Sequence, residues 1–148
     1  MLKDSLVEIF ERDLLKLRDE INLYKTEADL WIVKGEIANS AGNLCLHLLG
    51  NMNHFIGALL GETGFVRDRD LEFSAKEASR EFLNDEITKT IEVVKASLNR
   101  LSAEDFDKNF PVEKHGKVVK MDFMLLHLLT HFNYHLGQIN YHRRLVKS

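Results

Sequence analysis

Residues 121–145 read MDFMLLHLLTHFNYHLGQINYHRRL, and steps of three and four run through them from end to end. At about 100° per residue, Leu128, Leu129, Phe132, Leu136 and Ile139 fall on one arc of a helical wheel. His127, Gln138, His131, His142 and His135 fill an adjoining arc of roughly 80°. The stretch therefore predicts a helix from about Met121 to Leu145 whose imidazoles point toward a protein interior or its margin. Arg143, Arg144 and Lys147 at its end suit a helix C-terminus.

Working back along the chain, a second helix is expected from roughly Ile37 to Leu60. Leu44, Leu46, Leu48, Leu49, Met52, Phe55, Ile56 and Leu59 lie all round it, so it should be largely buried. Its polar residues, Asn43, His47, Asn51, Asn53 and His54, are few. Gly50, Gly57 and Gly61 cost helix propensity and suggest that another backbone packs closely there. Val7, Phe10, Leu14, Leu17, Ile21 and Tyr24 form the single apolar stripe of a first helix. Ala28–Glu36 reads as a connection in which Trp31 covers one end of the core. The loop GETGFVRDRDLEF (61–73) is polar and charged. Ser74-Ala-Lys-Glu77 has the form of a capping box opening a third helix, carried on by Ile87, Ile91, Val94, Leu98 and Leu101. FPVEKHGKVVKM (110–121) alternates around His115-Gly116 and could form a small hairpin. Four long helices make an all-α, four-helix bundle the expected fold, with residues 1–148 as one domain.

Composition narrows the function classes. The chain has 148 residues, 45% hydrophobic and 29% charged, with a net charge of −3. That is a globular balance, and it offers no basic face for nucleic acid or anionic lipid. The single cysteine, Cys45, excludes an internal disulfide and a thiolate zinc cluster. It projects about 200° away from His47 on the helix and reads as inert core. The N-terminal residues lack the apolar run of a secretory signal, and no stretch of 18 apolar residues is free of charge or of several polar groups, so no membrane span is expected. The expected location is the cytoplasm.

Six of the seven histidines fall in the second and fourth predicted helices, at His47, His54, His127, His131, His135 and His142. Histidines four residues apart on one face can share a metal ion. Both His127/His131 and His131/His135 qualify. All three cannot serve one ion, since eight residues span about 12 Å and a metal–nitrogen bond is about 2 Å. A third ligand must then come from the second helix, as His47 or His54. The midpoint of that helix falls near Leu48 or Leu49 and that of the fourth near Asn133, so His47 is level with His131 and His135. Spacing thus prefers His47, His131 and His135. The competing account is a metal-free seam of hydrogen-bonded core histidines.

No histidine follows a glutamate at the Glu-x-x-His spacing of di-iron bundles, and His-Glu-x-x-His is absent. What remains is a mononuclear three-histidine site with open coordination positions and nitrogen ligands that suit zinc or nickel. Gln138 could orient a metal-bound water or make a buried hydrogen bond. Asn51, one turn after His47, could support the site from behind. Arg67 and Arg69 could receive the carboxylates of a substrate, although ion pairing within the charged loop is the plainer reading. His115 reads as a turn residue.

LHLLGNMNHFIGALLG (46–61) and HLLTHFNYHLGQINYHRR (127–144), with the RDRDLEF loop, resemble the DinB/YfiT-like superfamily of bacterial metal-binding four-helix bundles over nearly the whole chain. The most specific features are Leu46-His47-Leu48 and His131-Phe-Asn-Tyr-His135-Leu-Gly-Gln138. The resemblance implies an up-down-down-up bundle, usually a homodimer, with His47, His131 and His135 as ligands of a divalent metal. Characterised members of that superfamily include enzymes that use low-molecular-weight thiols such as bacillithiol or mycothiol. It therefore implies a metal-dependent thiol S-transferase acting on small electrophiles. The alternative is a non-catalytic dimeric metal-binding or interaction protein. Apolar and aromatic residues nearly all round the fourth helix, including Phe123, Leu126, Tyr134 and Tyr141, agree with a dimer.

Overall fold

The computed structural model describes residues 1–146, and these are all-helical, with no named strand among them. The helices are α1 (Leu2–Leu23), α2 (Ala41–Gly61), α3 (Arg69–Ser74), α4 (Arg80–Asn99) and α5 (Met121–Val146). Two 3₁₀ turns, Ala28–Trp31 and Ala103–Asp107, punctuate the connections. Within α2 the segment Asn53–Ala58 widens into π-helix. Lys147 lies outside the described residues.

Each long helix forms where its apolar stripe meets its neighbours. On α1, Leu6, Phe10, Leu14, Leu17 and Ile21 are buried, while Val7 is only partly so. The helix is rotated enough for Leu6 to take the core position expected of Val7. Helix α2 starts at Ser40, whose hydroxyl accepts from the Asn43 amide, and ends at Glu62 in the left-handed region (φ 52°).

Helix directions follow from cross-helix contacts. Lys3 donates to the Leu101 carbonyl and Arg80 to those of Ile21 and Asn22, so α1 and α4 run oppositely. Asn133 donates to Asp13 and Asn140 to Glu20, so α1 and α5 run together. Asn53 donates to Thr90 while Gly61 abuts Ser97, so α2 and α4 run together. Phe55 and Leu128 line one cavity and Leu44 and His142 another, so α2 and α5 run oppositely.

Three local expectations change. The capping box at Ser74 does not open the third long helix. Asp68 caps a separate helix, α3, which Ser74 ends, and Ser79 caps α4 by accepting from the Phe82 amide. The break is held by Asn43 of α2, whose amide donates to the carbonyls of Glu72 and Ala75 and so satisfies the end of α3. The hairpin reduces to a turn. His115 and Gly116 have positive φ (51° and 75°), and two isolated bridges, Asn109 with Lys120 and Lys114 with Lys117, are all the pairing that forms. Pro111 removes a backbone donor, and Glu113, Gly116, Lys117 and Lys120 are exposed, so only Phe110, Val119 and Met121 at the ends of the stretch reach the core.

The third concerns α2. Side chains approach two of its glycines, Glu72 at Gly50 and Val93 at Gly57, while at Gly61 the Ser97 side chain comes with its backbone Cα 3.6 Å away, as expected of a close helix contact. By length and composition α2 could cross a membrane, with mean hydropathy 1.2 in its most apolar window, but 61% of that window is buried among the other helices. It is the central core helix. Trp31 lies against Gly42, packed on the edge of the core.

Candidate metal centre

Near the middle of α2 and α5, His47, His131 and His135 converge, each offering one ring nitrogen within 4.8 Å of the others. His47 is buried and the other two are half-buried. Two helices of opposite direction set this up. His131 and His135 sit one turn apart on α5, and His47 meets them from α2 with ring centroids 5.1 and 5.2 Å away.

Hydrogen bonds fix which nitrogen faces the centre. Nδ1 of His47 lies 3.1 Å from Glu72 Oε1, which can only accept, and 3.2 Å from Arg67 Nη2, which can only donate but already gives its closer bond to the same carboxylate at 2.9 Å. Nδ1 therefore carries the proton and Nε2 presents a lone pair. Nδ1 of His135 lies 2.6 Å from Gln138 Oε1, which again leaves Nε2 free. Nε2 of His131 is 3.2 Å from Nε2 of His47. Two nitrogens each about 2.0–2.1 Å from one tetrahedral ion stand about 3.3 Å apart, so the spacing matches a shared ion. Nδ1 of His131 is buried with no hydrogen-bond partner.

Electrostatics favours the neutral form that a ligand requires. Burial lowers the His47 pKa, against the pull of Glu72. Burial, with His135 and His47 nearby, pushes His131 down to about 4. An imidazole that resists protonation keeps its lone pair at neutral pH.

Glu72 is the partner that the sequence pattern did not reveal. It is buried and receives Arg67 through both oxygens, at 2.8 and 2.9 Å, while holding His47. A carboxylate behind a histidine ligand orients the ring and raises its basicity. Its sequence signals are weak: an acid between Leu71 and Phe73, and an unexplained Gly50 in a core helix, where any Cβ would collide with this carboxylate.

The remaining candidates divide. Arg67 is committed to Glu72, so the ion-pair reading of that residue holds, with a partner outside the Arg-Asp repeat. Arg69 lies over Phe73 and beside the cavity next to the histidines. Asn51 lines that cavity too, with Oδ1 unpartnered. Gln138 bonds to His135, and on an exposed face rather than a buried one. His54 lies edge-on to Phe55 and His127 stacks on Phe123. His142 is bonded to Tyr24 and to the Ile32 carbonyl. Cys45 is fully buried, its thiol pushed up to about 12, and inert. His115 is exposed on its turn.

Fold and site together define an all-helical protein with a three-histidine cluster that could hold a metal ion. Residues 6–148 match a family model described as "Protein of unknown function (DUF1572)", and the chain belongs to that family. No curated protein matches it.

Proposed function

We propose that this chain is a divalent-metal protein of the DinB/YfiT-like class, a one-domain four-helix bundle that holds zinc or nickel through His47, His131 and His135. The observation that carries the proposal is the 3.2 Å approach of two Nε2 atoms, with the His47 Nδ1 proton turned outward to Glu72. The His131 ring, whose Nδ1 has no partner, either donates an N–H to His47 at that distance or shares an ion with it, and a third imidazole at the same place favours the ion. The helix directions, α1 and α5 one way and α2 and α4 the other, support the up-down-down-up order.

The chain's own residues do the preparatory work. Glu72 and Gln138 hold two rings in the ligating tautomer, Arg67 pairs with both Glu72 oxygens, and burial keeps the His47 and His131 rings neutral. Three neutral ligands leave a bound ion its full charge, which lowers the pKa of a thiol or water added to it. Thiol S-transfer to small electrophiles is the reaction we assign on that basis and on the superfamily resemblance. A homodimer in the cytoplasm completes the proposal. Phe123, Leu126, Tyr134 and Tyr141 are 57, 48, 66 and 63% exposed in the single chain, a stripe at helical spacing that a twofold partner would cover.

Metal analysis of tag-free protein tests the centre, with one equivalent per chain expected and none under metal-replete conditions overturning it. Saturable turnover with bacillithiol, abolished in a folded His135→Ala variant, tests the reaction. Metal and thiol binding without turnover across several electrophiles returns the non-catalytic binding protein instead.

A further inference from the structure

A cavity of about 110 Å³ adjoins the histidine cluster. His47 and His131 line it, together with Asn51, Arg69, Lys114 and His127. These residues come from α2, from the start of α3, from the 109–120 turn and from α5, so only the fold brings them together.

Two independent features point to an anionic occupant. The first is charge. Arg67, Arg69 and Lys114 line the cavity and no carboxylate does, although the chain as a whole carries −3. Arg67 is neutralised by Glu72, but Arg69 and Lys114 form no side-chain ion pair among the described residues. Their charged ends rest instead over the rings of Phe73 and Phe55, 5.9 and 6.0 Å from the centroids. Cations stacked on rings keep their N–H donors available. The second is Asn51. It is only 7% exposed, yet its Oδ1 has no hydrogen-bond partner. A buried amide oxygen without a partner is uncommon in a settled core, and a half-turn of this amide presents its two N–H donors in place of the oxygen.

We propose that this cavity takes the carboxylate or phosphate end of a small anionic molecule. Arg69 and Lys114 supply the charge and Asn51 supplies a hydrogen bond beside the histidines. Pockets that enclose a whole drug-sized ligand measure about 300–1,000 Å³, so this one receives the charged group alone. That the anion is a substrate rests on the proposed metal centre. That it binds does not.

The experiment is calorimetric titration of the full chain, metal-free and zinc-loaded, with succinate and with methylphosphonate as probes at low salt. At least one probe should bind saturably at one site per chain. Its affinity should fall at least tenfold in Arg69→Gln and in Lys114→Met, both solvent-accessible positions, with metal content unchanged. The tighter probe identifies the chemical group. No saturable binding of either probe to either form would overturn the proposal, as would binding that survives both substitutions within twofold. Anion binding by a wild-type chain that takes up no metal would overturn the metal centre and leave the anion site standing.

Discussion

Helix α5 carries two imidazole environments about three turns apart, and they are built on opposite logic. At His142 both ring nitrogens are used by the protein: Nε2 donates to the Ile32 carbonyl at 2.8 Å, and Nδ1 faces the Tyr24 hydroxyl at 2.7 Å. At His131 one nitrogen is orphaned and the other faces a second histidine. Burial lowers the pKa of both rings, so burial does not separate them. Partner chemistry does. A histidine closed on both sides by a carbonyl and a hydroxyl is a structural tie from α5 to α1 and the following turn. A histidine with one unpartnered nitrogen and the other turned to a second imidazole is a ligand in waiting.

Substitution should break this contrast most sharply at the cluster. His131→Ala and His135→Ala should each cost more than the ~10–100-fold in metal affinity typical of outer partners, read by competition with a chromogenic chelator. His142→Ala should leave that affinity unchanged. Equal losses at all three positions would mean that the two environments do the same job.

The next effect tests the support behind the ligand. Glu72→Gln keeps the shape but removes the charge that orients His47, and metal affinity should fall about 10–100-fold. Gly50→Ala should act in the same direction, because the added methyl displaces the Glu72 carboxylate. A Glu72→Gln variant with unaltered affinity would make Glu72 a partner of Arg67 alone.

Stability should respond in the reverse order. His142→Ala empties a buried ring site and leaves the Ile32 carbonyl without its donor, while the Tyr24 hydroxyl keeps its bond to the Ile139 carbonyl, at a cost of about 2–4 kcal/mol. Chemical denaturation of the metal-free protein measures it. His135→Ala, on a half-buried ring, should cost less than half as much.

The smallest effect is the pH dependence of the metal-free fold. His47, His131 and His142 all have pKa values lowered in the folded state, so the unfolded chain binds protons more readily. Their contribution is complete above the ordinary histidine value near 6.5 and is lost as pH falls toward the His131 value of about 4. Melting temperature should decline across that window, and less steeply in His131→Ala. A flat profile from pH 7 to pH 4 would contradict the neutral-ring account at both places.

Much of this was legible from spacing. Histidines at 131 and 135 must share a face of any helix, and helix midpoints place His47 opposite them whichever way the helices run. Other features were not. Val7 was expected in the core where Leu6 is, because a stripe broad enough to bury both leaves the rotation of α1 to its neighbours. Ser74 carried a sound capping pattern, yet Asn43, more than thirty positions away, satisfies the carbonyls there and lets Ser79 start α4.

The division has one physical cause. Periodicity is a local property of the chain, so the sequence alone determined that there would be four long helices, that α2 would be central, and which histidines could share an ion. Partnership across segments is not local. Glu72 looks like one more charge in a solvated loop until α3 is docked on Gly50. Arg67 looks free until Glu72 arrives, and His142 resembles His135 until Tyr24 closes over it. Docking a charged or polar group against the core is paid for only when its partner is already in place, and only the tertiary structure decided which partner that was.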